Sequence, residues 1–221
     1  MRGKKMVIAV SVIVVVLLCC LLYSLCQGHK PVATVSALER KPAGRILVAC
    51  FSESKTKSTL TMARWIQGMV GGDLMEIEPE TPYPESYAMT VKQAHKEINE
   101  KFQPVLKPLD KKAEDYDIVF IGTPVWFGTF APPIRSFLAE SKLVGKTVVP
   151  FCTHGGGGAS ETFKDLAAEL TDATVLEGLA LRGPNVVQRK MGKGVEYFAY
   201  PDDVRNWLMK LDLGWAEKTN P

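Results

Sequence analysis

The sequence predicts an α/β domain in which helices cover both faces of a parallel β-sheet, preceded by one membrane-targeting segment. From residue 45 onward, apolar runs of strand length alternate with helical patterns. Continuous apolar strands separated by helices are typical of a parallel sheet that is buried on both faces. Right-handed crossovers then place a helix layer on each side of the sheet, so we expect a three-layer sandwich.

The N-terminal segment is an uncharged, almost wholly apolar run over residues 7–25. Three basic residues precede it: Arg2, Lys4 and Lys5. A helix needs roughly 20 apolar residues to cross a bilayer, whereas the apolar part of a cleaved signal peptide usually has about 7–15. We therefore expect residues 1–26 to form a transmembrane anchor, with a cleaved signal as the alternative, and residues 27–44 to form a linker. Because basic flanks stay in the cytoplasm, the domain should be extracytoplasmic.

Charge and cysteine usage exclude two other classes of protein. The chain has 27 basic and 24 acidic residues, and removing the three N-terminal basic residues leaves 24 of each. This balance leaves no excess of basic residues of the kind that typically binds nucleic acid. Three of the five cysteines lie within residues 1–26, which leaves Cys50 and Cys152. We expect both to be buried thiols, too far apart for a disulfide.

The domain should span residues 45–214, with residues 215–221 as a tail. Five strands are predicted, at residues 46–50, 74–77, 118–121, 147–151 and 175–181. The first helix, residues 60–70, should end at Gly71-Gly72. The second is indicated by one apolar face: Tyr87, Val91, Ala94 and Ile98. The remaining helices are predicted at residues 133–139, 161–170 and 204–211.

The loop after the first strand indicates a phosphate site. In open α/β sheets, ligands bind beyond the carboxyl ends of the strands, and a helix N-terminus readily binds an anion. The candidate residues carry hydroxyl or ammonium groups: Ser52, Ser54, Lys55, Thr56, Lys57 and Ser58. An ordinary helix cap is the alternative. The absence of Gly-x-Gly-x-x-Gly and of a P-loop favours a mononucleotide.

The loops after the third and fourth strands complete the candidate site. The former is rich in aromatic rings suited to stacking on a planar ligand; its candidates are Pro124, Val125, Trp126, Phe127 and Gly128. A hydrophobic plug or a partner interface is the alternative. The latter lets backbone amides approach a ligand edge; its candidates are Thr153, His154, Gly155 and Gly156. A flexible surface loop is the alternative there.

Together these loops resemble those of the flavodoxin family, particularly its short bacterial flavodoxin-like branch. The resemblance is clearest in YDIVFIGTPVW (residues 116–126), PFCTHGG (150–156) and LEGLALRG (176–183). It implies a five-stranded sheet in the order 2-1-3-4-5, with FMN at the carboxyl edge. Ser52, Ser54 and Thr56 would lie at the phosphate and Trp126, with Phe127, at the isoalloxazine. Thr153, His154 and the following glycines would line the pyrimidine edge.

Two departures from the family pattern stand out. Lys55-Thr56-Lys57 replaces the usual Gly-Asn-Thr, which restricts the backbone and removes a hydroxyl, while residues 188–200 form an extension without an assigned role. The expected function is electron transfer or FMN-dependent oxidoreduction with a redox protein or a small-molecule donor or acceptor. A protonated His154 would raise the flavin potential. The alternative is a flavin-free binding or scaffold module. We single out no catalytic residue and no metal-ligand set.

Overall fold

The computed structural model describes residues 39–40, 44–184, 191, 200–213 and 215–216. The N-terminal segment expected over residues 1–26 lies outside the described residues. Most of the linker and most of the extension at residues 188–200 lie outside them as well. Among the residues that are described, no helix combines the length and the apolar character needed to cross a membrane.

The described elements follow the predicted alternation of strands and helices. The strands are β1 (Glu39–Arg40), β2 (Ile46–Phe51), β3 (Asp73–Ile77), β4 (Ile118–Trp126), β5 (Thr129–Phe130), β6 (Thr147–His154), β7 (Thr174–Val175), β8 (Leu179–Arg182) and β9 (Trp215–Ala216). The helices are α1 (Ser58–Val70), α2 (Tyr87–Asn99), α3 (Pro132–Glu140), α4 (Thr162–Glu169) and α5 (Tyr200–Lys210). A short 3-10 turn occupies Ala113–Asp115.

The main sheet has seven strands in the described part of the chain, not the five predicted. Its parallel strands stand in the order β3-β2-β4-β6-β7, and β8 also pairs with β6. β7 and β8 are two pieces of the predicted fifth strand: Thr174 pairs with the start of β6 and Leu179 with its later part. β5 is an antiparallel addition that pairs with β4. β2, β3, β4, β6 and β7 correspond to the first to fifth predicted strands. The expected order 2-1-3-4-5 is therefore confirmed. β1 and β9 form a separate antiparallel pair.

Two hydrophobic cores lie on the two faces of the sheet. One buries α1 and α5 against β2, with Met62, Ile66 and Trp207 among its members. The other buries α3 and α4 through Ile134 and Leu166. Alternate residues of β2 enter opposite cores, as the two-residue period of a strand requires. The three-layer arrangement expected from the sequence is therefore confirmed.

The buried face of α2 differs from the predicted one. Tyr87 is 81 % exposed, whereas Ala94 and Glu97 are buried. Glu97 can be buried because the Tyr83 hydroxyl donates to its carboxylate at 2.6 Å and the Gln93 amide donates at 2.8 Å. A carboxylate with two hydrogen-bond donors loses much less on burial than an unpaired one. An apolar pattern alone does not reveal such a face.

Gly122 lies where the three central strands pack most closely. A Cβ atom at this position would come within 2.2 Å of the Phe151 ring and 2.8 Å of the Cys50 Cβ. Cys50 and Cys152 are both free and buried, as expected, and burial raises the pKa of the Cys152 thiol to about 12. Gly122 pairs with Cys50 on one side and with Phe151 on the other, so the three residues lie on the same face of the sheet. Cys152 follows Phe151 in β6 and therefore lies on the opposite face.

Gly122→Ala should lower the free energy of unfolding by about 1–3 kcal/mol, because the added methyl overpacks the contact with Phe151. Gly68→Ala is the matched control, since nothing lies within 4 Å of its Cβ position in α1. That change should stabilise the fold by about 0.5–1 kcal/mol through helix propensity. Urea midpoints at constant slope measure both effects. A Gly122→Ala protein as stable as the parent would contradict the close packing.

Candidate functional site

The carboxyl ends of β2, β4 and β6 meet at one edge of the sheet. Cys50 pairs with Gly122 and Pro124 pairs with Thr153, so the three strands end side by side. Part of what the sequence predicted as loop is strand: Pro124, Val125 and Trp126 extend β4, and Thr153 and His154 extend β6. The structure thus brings all three predicted loops to the same edge.

Hydrogen bonds tie the first turn of α1 and the end of β8 to the end of β6. Oγ1 of Thr59 and Oγ1 of Thr153 are 2.8 Å apart in a buried contact. The Gly183 N–H donates to the His154 carbonyl at 2.9 Å, and a Cβ at Gly183 would lie 3.5 Å from Ser58 Oγ. The predicted site did not include Thr59 or Gly183. Thr59 continues the run of hydroxyl residues beyond Ser58, a signal that was visible in the sequence.

The first loop is lined by hydrogen-bonded hydroxyls. Ser54 Oγ and Thr56 Oγ1 are 3.2 Å apart, and Thr56 Oγ1 and Ser58 Oγ are 2.9 Å apart. The Ser58 N–H points to Ser54 Oγ at 3.3 Å. This chain of hydroxyls leads to the N-terminus of α1, where the positive end of the helix dipole and free N–H groups favour an anion.

Ser52 provides the test of whether the loop fits a phosphate. Its side chain is 3 % exposed, and its Oγ atom has no hydrogen-bond partner in the described part of the chain. A buried hydroxyl left unpaired costs about 1–3 kcal/mol. Because a phosphate oxygen is a strong acceptor, the unpaired Ser52 hydroxyl beside the N-terminus of α1 fits a phosphate-bearing ligand.

The two lysines of the loop have different environments. Lys57 has a left-handed backbone, with φ 45° and ψ 44°, whereas Lys55, which stands where the family has its glycine, does not have a positive φ. The Lys57 ammonium donates to the Ser52 carbonyl at 2.8 Å and pairs with Glu76 at 2.6 Å. Lys55 is exposed. The Lys57 charge is therefore already engaged by protein groups.

The aromatic loop is a two-residue hairpin turn. Trp126 pairs with Thr129, and the turn between them consists of Phe127 (φ 50°) and Gly128 (φ 84°). Two positive φ values are the signature of a type I′ turn, which Asn-Gly favours and a bulky first residue does not. Phe127 is 53 % exposed, and its ring lies 4.9 Å from that of His95. His95 is itself exposed.

Trp126 is half-buried and belongs to an aromatic cluster. Its ring is edge-on to Phe51 at 5.6 Å and to Tyr83 at 5.0 Å between centroids. Tyr83 is itself fixed by its hydrogen bond to Glu97, and burial, with that carboxylate, raises the pKa of the Tyr83 hydroxyl. Neither Tyr83 nor Glu97 was among the predicted site residues, because their contacts join segments far apart in the sequence.

His154 organises the glycine loop as a neutral imidazole. The N–H groups of Gly156 and Gly158 both donate to its Nδ1 atom, each at 3.1 Å. An Nδ1 atom that accepts hydrogen bonds carries no proton, so the ring proton lies on Nε2. Burial, followed by the Arg182 charge, lowers the pKa of His154. An effect of His154 on the flavin potential would depend on its protonated form, and this geometry favours the neutral form.

Arg182 is the cation beside the glycine loop. It pairs in register with His154 across β6 and β8, and a Cβ at Gly156 would lie 3.8 Å from its guanidinium. Arg182 lies in the motif LEGLALRG (residues 176–183), from which the sequence predicts no role for it. Its place beside His154 follows from strand register, which the sequence alone does not reveal.

The lowered pKa of His154 should make the fold less stable at acidic pH. The unfolded chain binds a proton near pH 6.5, and the folded chain does so only at lower pH. The stability contributed by neutral His154 is therefore present above about pH 6.5 and is lost as the pH falls through the folded pKa. NMR titration of the His154 ring and urea midpoints from pH 7 to 5 measure this. His154→Gln should flatten that pH dependence; a His154 pKa above 6.5 would contradict it.

Comparisons with known proteins agree with this geometry. A sequence profile of the flavodoxin family, described as Flavodoxin, matches residues 45–197. A protein of Bacteroides eggerthii classed as a flavoprotein is 30 % identical, with 75 % of this chain and 96 % of that chain covered and a TM-score of 0.60. A similar protein of Bacteroides uniformis is 26 % identical over 76 % of this chain and 99 % of its own, with a TM-score of 0.62.

A flavoprotein of Lactobacillus acidophilus, solved in complex with FMN, shares the fold at lower identity. It is 24 % identical, with 67 % of this chain and 97 % of that chain covered and a TM-score of 0.55. The family profile spans more than half of the chain and includes every loop of the candidate site. The chain belongs to the flavodoxin family.

Proposed function

We propose that this chain binds FMN at the carboxyl edge of its sheet and acts in electron transfer or as an FMN-dependent oxidoreductase. The observation that carries the proposal is the buried, unpaired Ser52 hydroxyl in a loop of hydroxyls at the N-terminus of α1. That donor is satisfied when a phosphate occupies the loop. The FMN complex of the Lactobacillus acidophilus relative supports the choice of ligand.

The chain's own residues divide between three tasks. Ser52, Ser54, Thr56 and Ser58 would hold the phosphate, with the exposed ammonium of Lys55 adding charge at the loop surface. The aromatic hairpin of Trp126 and Phe127 would shield the ring, together with Pro124, Val125 and Gly128. Thr153, His154, Gly155 and Gly156 would contact its polar edge. FMN, when bound, supplies the redox chemistry, and the protein orients it and sets its electrostatic surroundings.

The neutral His154 changes what this residue contributes. With Nδ1 engaged by two amides, only Nε2–H is free to donate a hydrogen bond. His154 therefore holds the glycine loop and can offer a neutral donor. The positive charge on this side of the site belongs to Arg182, whose guanidinium lies against Gly156.

The proposed location is the extracytoplasmic face of a membrane, through an N-terminal anchor or, after cleavage, by secretion. Its support comes from the sequence: an uncharged apolar run over residues 7–25 that follows Arg2, Lys4 and Lys5. The redox partner would be a protein or a small-molecule electron donor or acceptor that reaches the exposed hairpin side of the site.

The full chain should purify with flavin absorbance or take up added FMN. Ser52→Ala should weaken FMN binding about tenfold, because one hydrogen bond to a charged phosphate is lost, and should leave riboflavin binding unchanged. The same change should stabilise the flavin-free protein, since it removes a buried hydroxyl without a partner. Fluorescence titration with both flavins and urea unfolding measure these effects.

Ser86→Ala is the control for Ser52→Ala, because Ser86 is exposed and its side chain makes no cap hydrogen bond to α2. A colourless chain that also fails to take up FMN would refute the proposed function. It would favour a flavin-free binding module instead.

Phe127→Asn should separate stability from ligand binding. An Asn-Gly pair suits the type I′ turn, so the free energy of unfolding should rise by about 1 kcal/mol. FMN binding should weaken, because an exposed aromatic surface at the site is lost. Val144→Asn, at a position that is 71 % exposed and outside the turn, should change neither. Weaker folding of Phe127→Asn would count against the type I′ turn, and unchanged FMN affinity would count against a role of Phe127 in binding.

A further inference from the structure

Lys57 joins β3 to the loop between β2 and α1. Its ammonium donates to the Ser52 carbonyl, at the start of the loop, over 2.8 Å. It also pairs with the Glu76 carboxylate, on β3, over 2.6 Å. We propose that Lys57 is a positioning residue that clamps this loop in its ligand-binding shape, and that it is not a ligand of the phosphate.

The backbone of Lys57 explains why the loop needs such a clamp. The backbone of Lys57 has a left-handed conformation, which costs free energy in any L-residue other than glycine. Its N–H donates to the Ser54 carbonyl at 2.8 Å, and its carbonyl accepts the Thr61 N–H at 2.8 Å. The strained residue therefore connects the loop turn to the first turn of α1. Two contacts from its side chain hold that connection in place.

The charges around Lys57 argue against a role as a phosphate ligand. Its ammonium faces an acidic region formed by Glu53, Glu76 and Glu78. The pKa of Glu53 is raised, chiefly by burial and also by Glu78 and Glu76, while Lys57 opposes the rise. Glu78 has its own partner in Lys107, at 2.7 Å. The Lys57 charge is thus compensated on the β3 side, which leaves the hydroxyls and backbone N–H groups to meet the phosphate.

With Lys57 paired to Glu76, the loop meets the phosphate through uncharged donors. A phosphate bound by uncharged donors loses little affinity as salt is added, whereas one bound by a free ammonium is screened. This step rests on the proposed function, because it takes the phosphate of FMN as the ligand of the loop. The clamp itself is a property of the flavin-free chain.

The test compares Lys57→Met, Glu76→Gln and the double variant in the full chain. Each single change should weaken FMN binding about three- to tenfold and leave riboflavin binding unchanged. The double variant should bind no more weakly than the weaker single variant, since both changes break the same clamp. The FMN affinity of Glu76→Gln should not depend more steeply on salt concentration than that of the parent chain. Unchanged FMN binding by Glu76→Gln would overturn the proposal, because the clamp would then have no effect on the loop. Tighter FMN binding, or an FMN affinity that depends more steeply on salt, would overturn it by showing that Lys57 is a phosphate ligand.

Amide hydrogen exchange in the flavin-free chain gives an independent readout. The amides of residues 57 and 58 should exchange several-fold faster in Lys57→Met and in Glu76→Gln. Lys55→Met, which removes the other ammonium of the loop, should not change their exchange. If the parent chain takes up no FMN, the proposed function is refuted, and the exchange rates still test the positioning role of Lys57. If FMN binds but exchange is unchanged in both Lys57→Met and Glu76→Gln, only the positioning role is refuted.

Discussion

Contact between the Phe151 ring and the bare backbone of Gly122 sets how β2, β4 and β6 pack at the centre of the sheet. The ring occupies the space of a Gly122 side chain and reaches Cys50 on the next strand. A slip of one residue in a strand turns all its side chains to the other face. This packing therefore favours one register, and that register aligns the ends of the three strands. The candidate site exists because these ends coincide.

Neutral hydrogen bonds, more than ion pairs, then connect the loops to one another. The Thr59–Thr153 pair joins the first helix to β6, and the His154 imidazole gathers two amides of the glycine loop. Each such bond contributes only about 0.5–1.5 kcal/mol net. Their effect is to order the loops before a ligand arrives, which lowers the entropy lost on binding. Three buried hydroxyls are left unpaired in the described part of the chain, those of Ser52, Thr129 and Thr162, and Ser52 is the one that belongs to the loop before α1.

The parts of this structure that were predictable are those with a local signal. Apolar runs predict the parallel strands of the main sheet, and the run of hydroxyls predicts the loop that leads into α1. The sequence predicts a loop at the end of β4 because Pro124 and Trp126 lack a strand pattern, yet pairing with β5 and β6 makes this segment a strand. Glu76 and Arg182 were missed because their roles arise from partners across the sheet. The charge state of His154 depends on amides that only the folded loop brings to Nδ1.

Both loops on either side of the candidate site contain a left-handed residue that is not glycine: Lys57 in one and Phe127 in the other. Such a residue costs about 1–2 kcal/mol relative to glycine, so a stable turn alone does not account for either. Backbone strain of this kind concentrates at functional sites. In each loop the side chain supplies what glycine lacks: an ammonium that reaches Ser52 and Glu76, and an aromatic ring presented to solvent beside His95. Lys101 and Ser160 also have a positive φ, but at Lys57 and Phe127 the cost to folding comes with a side chain that shapes a loop at this edge of the sheet.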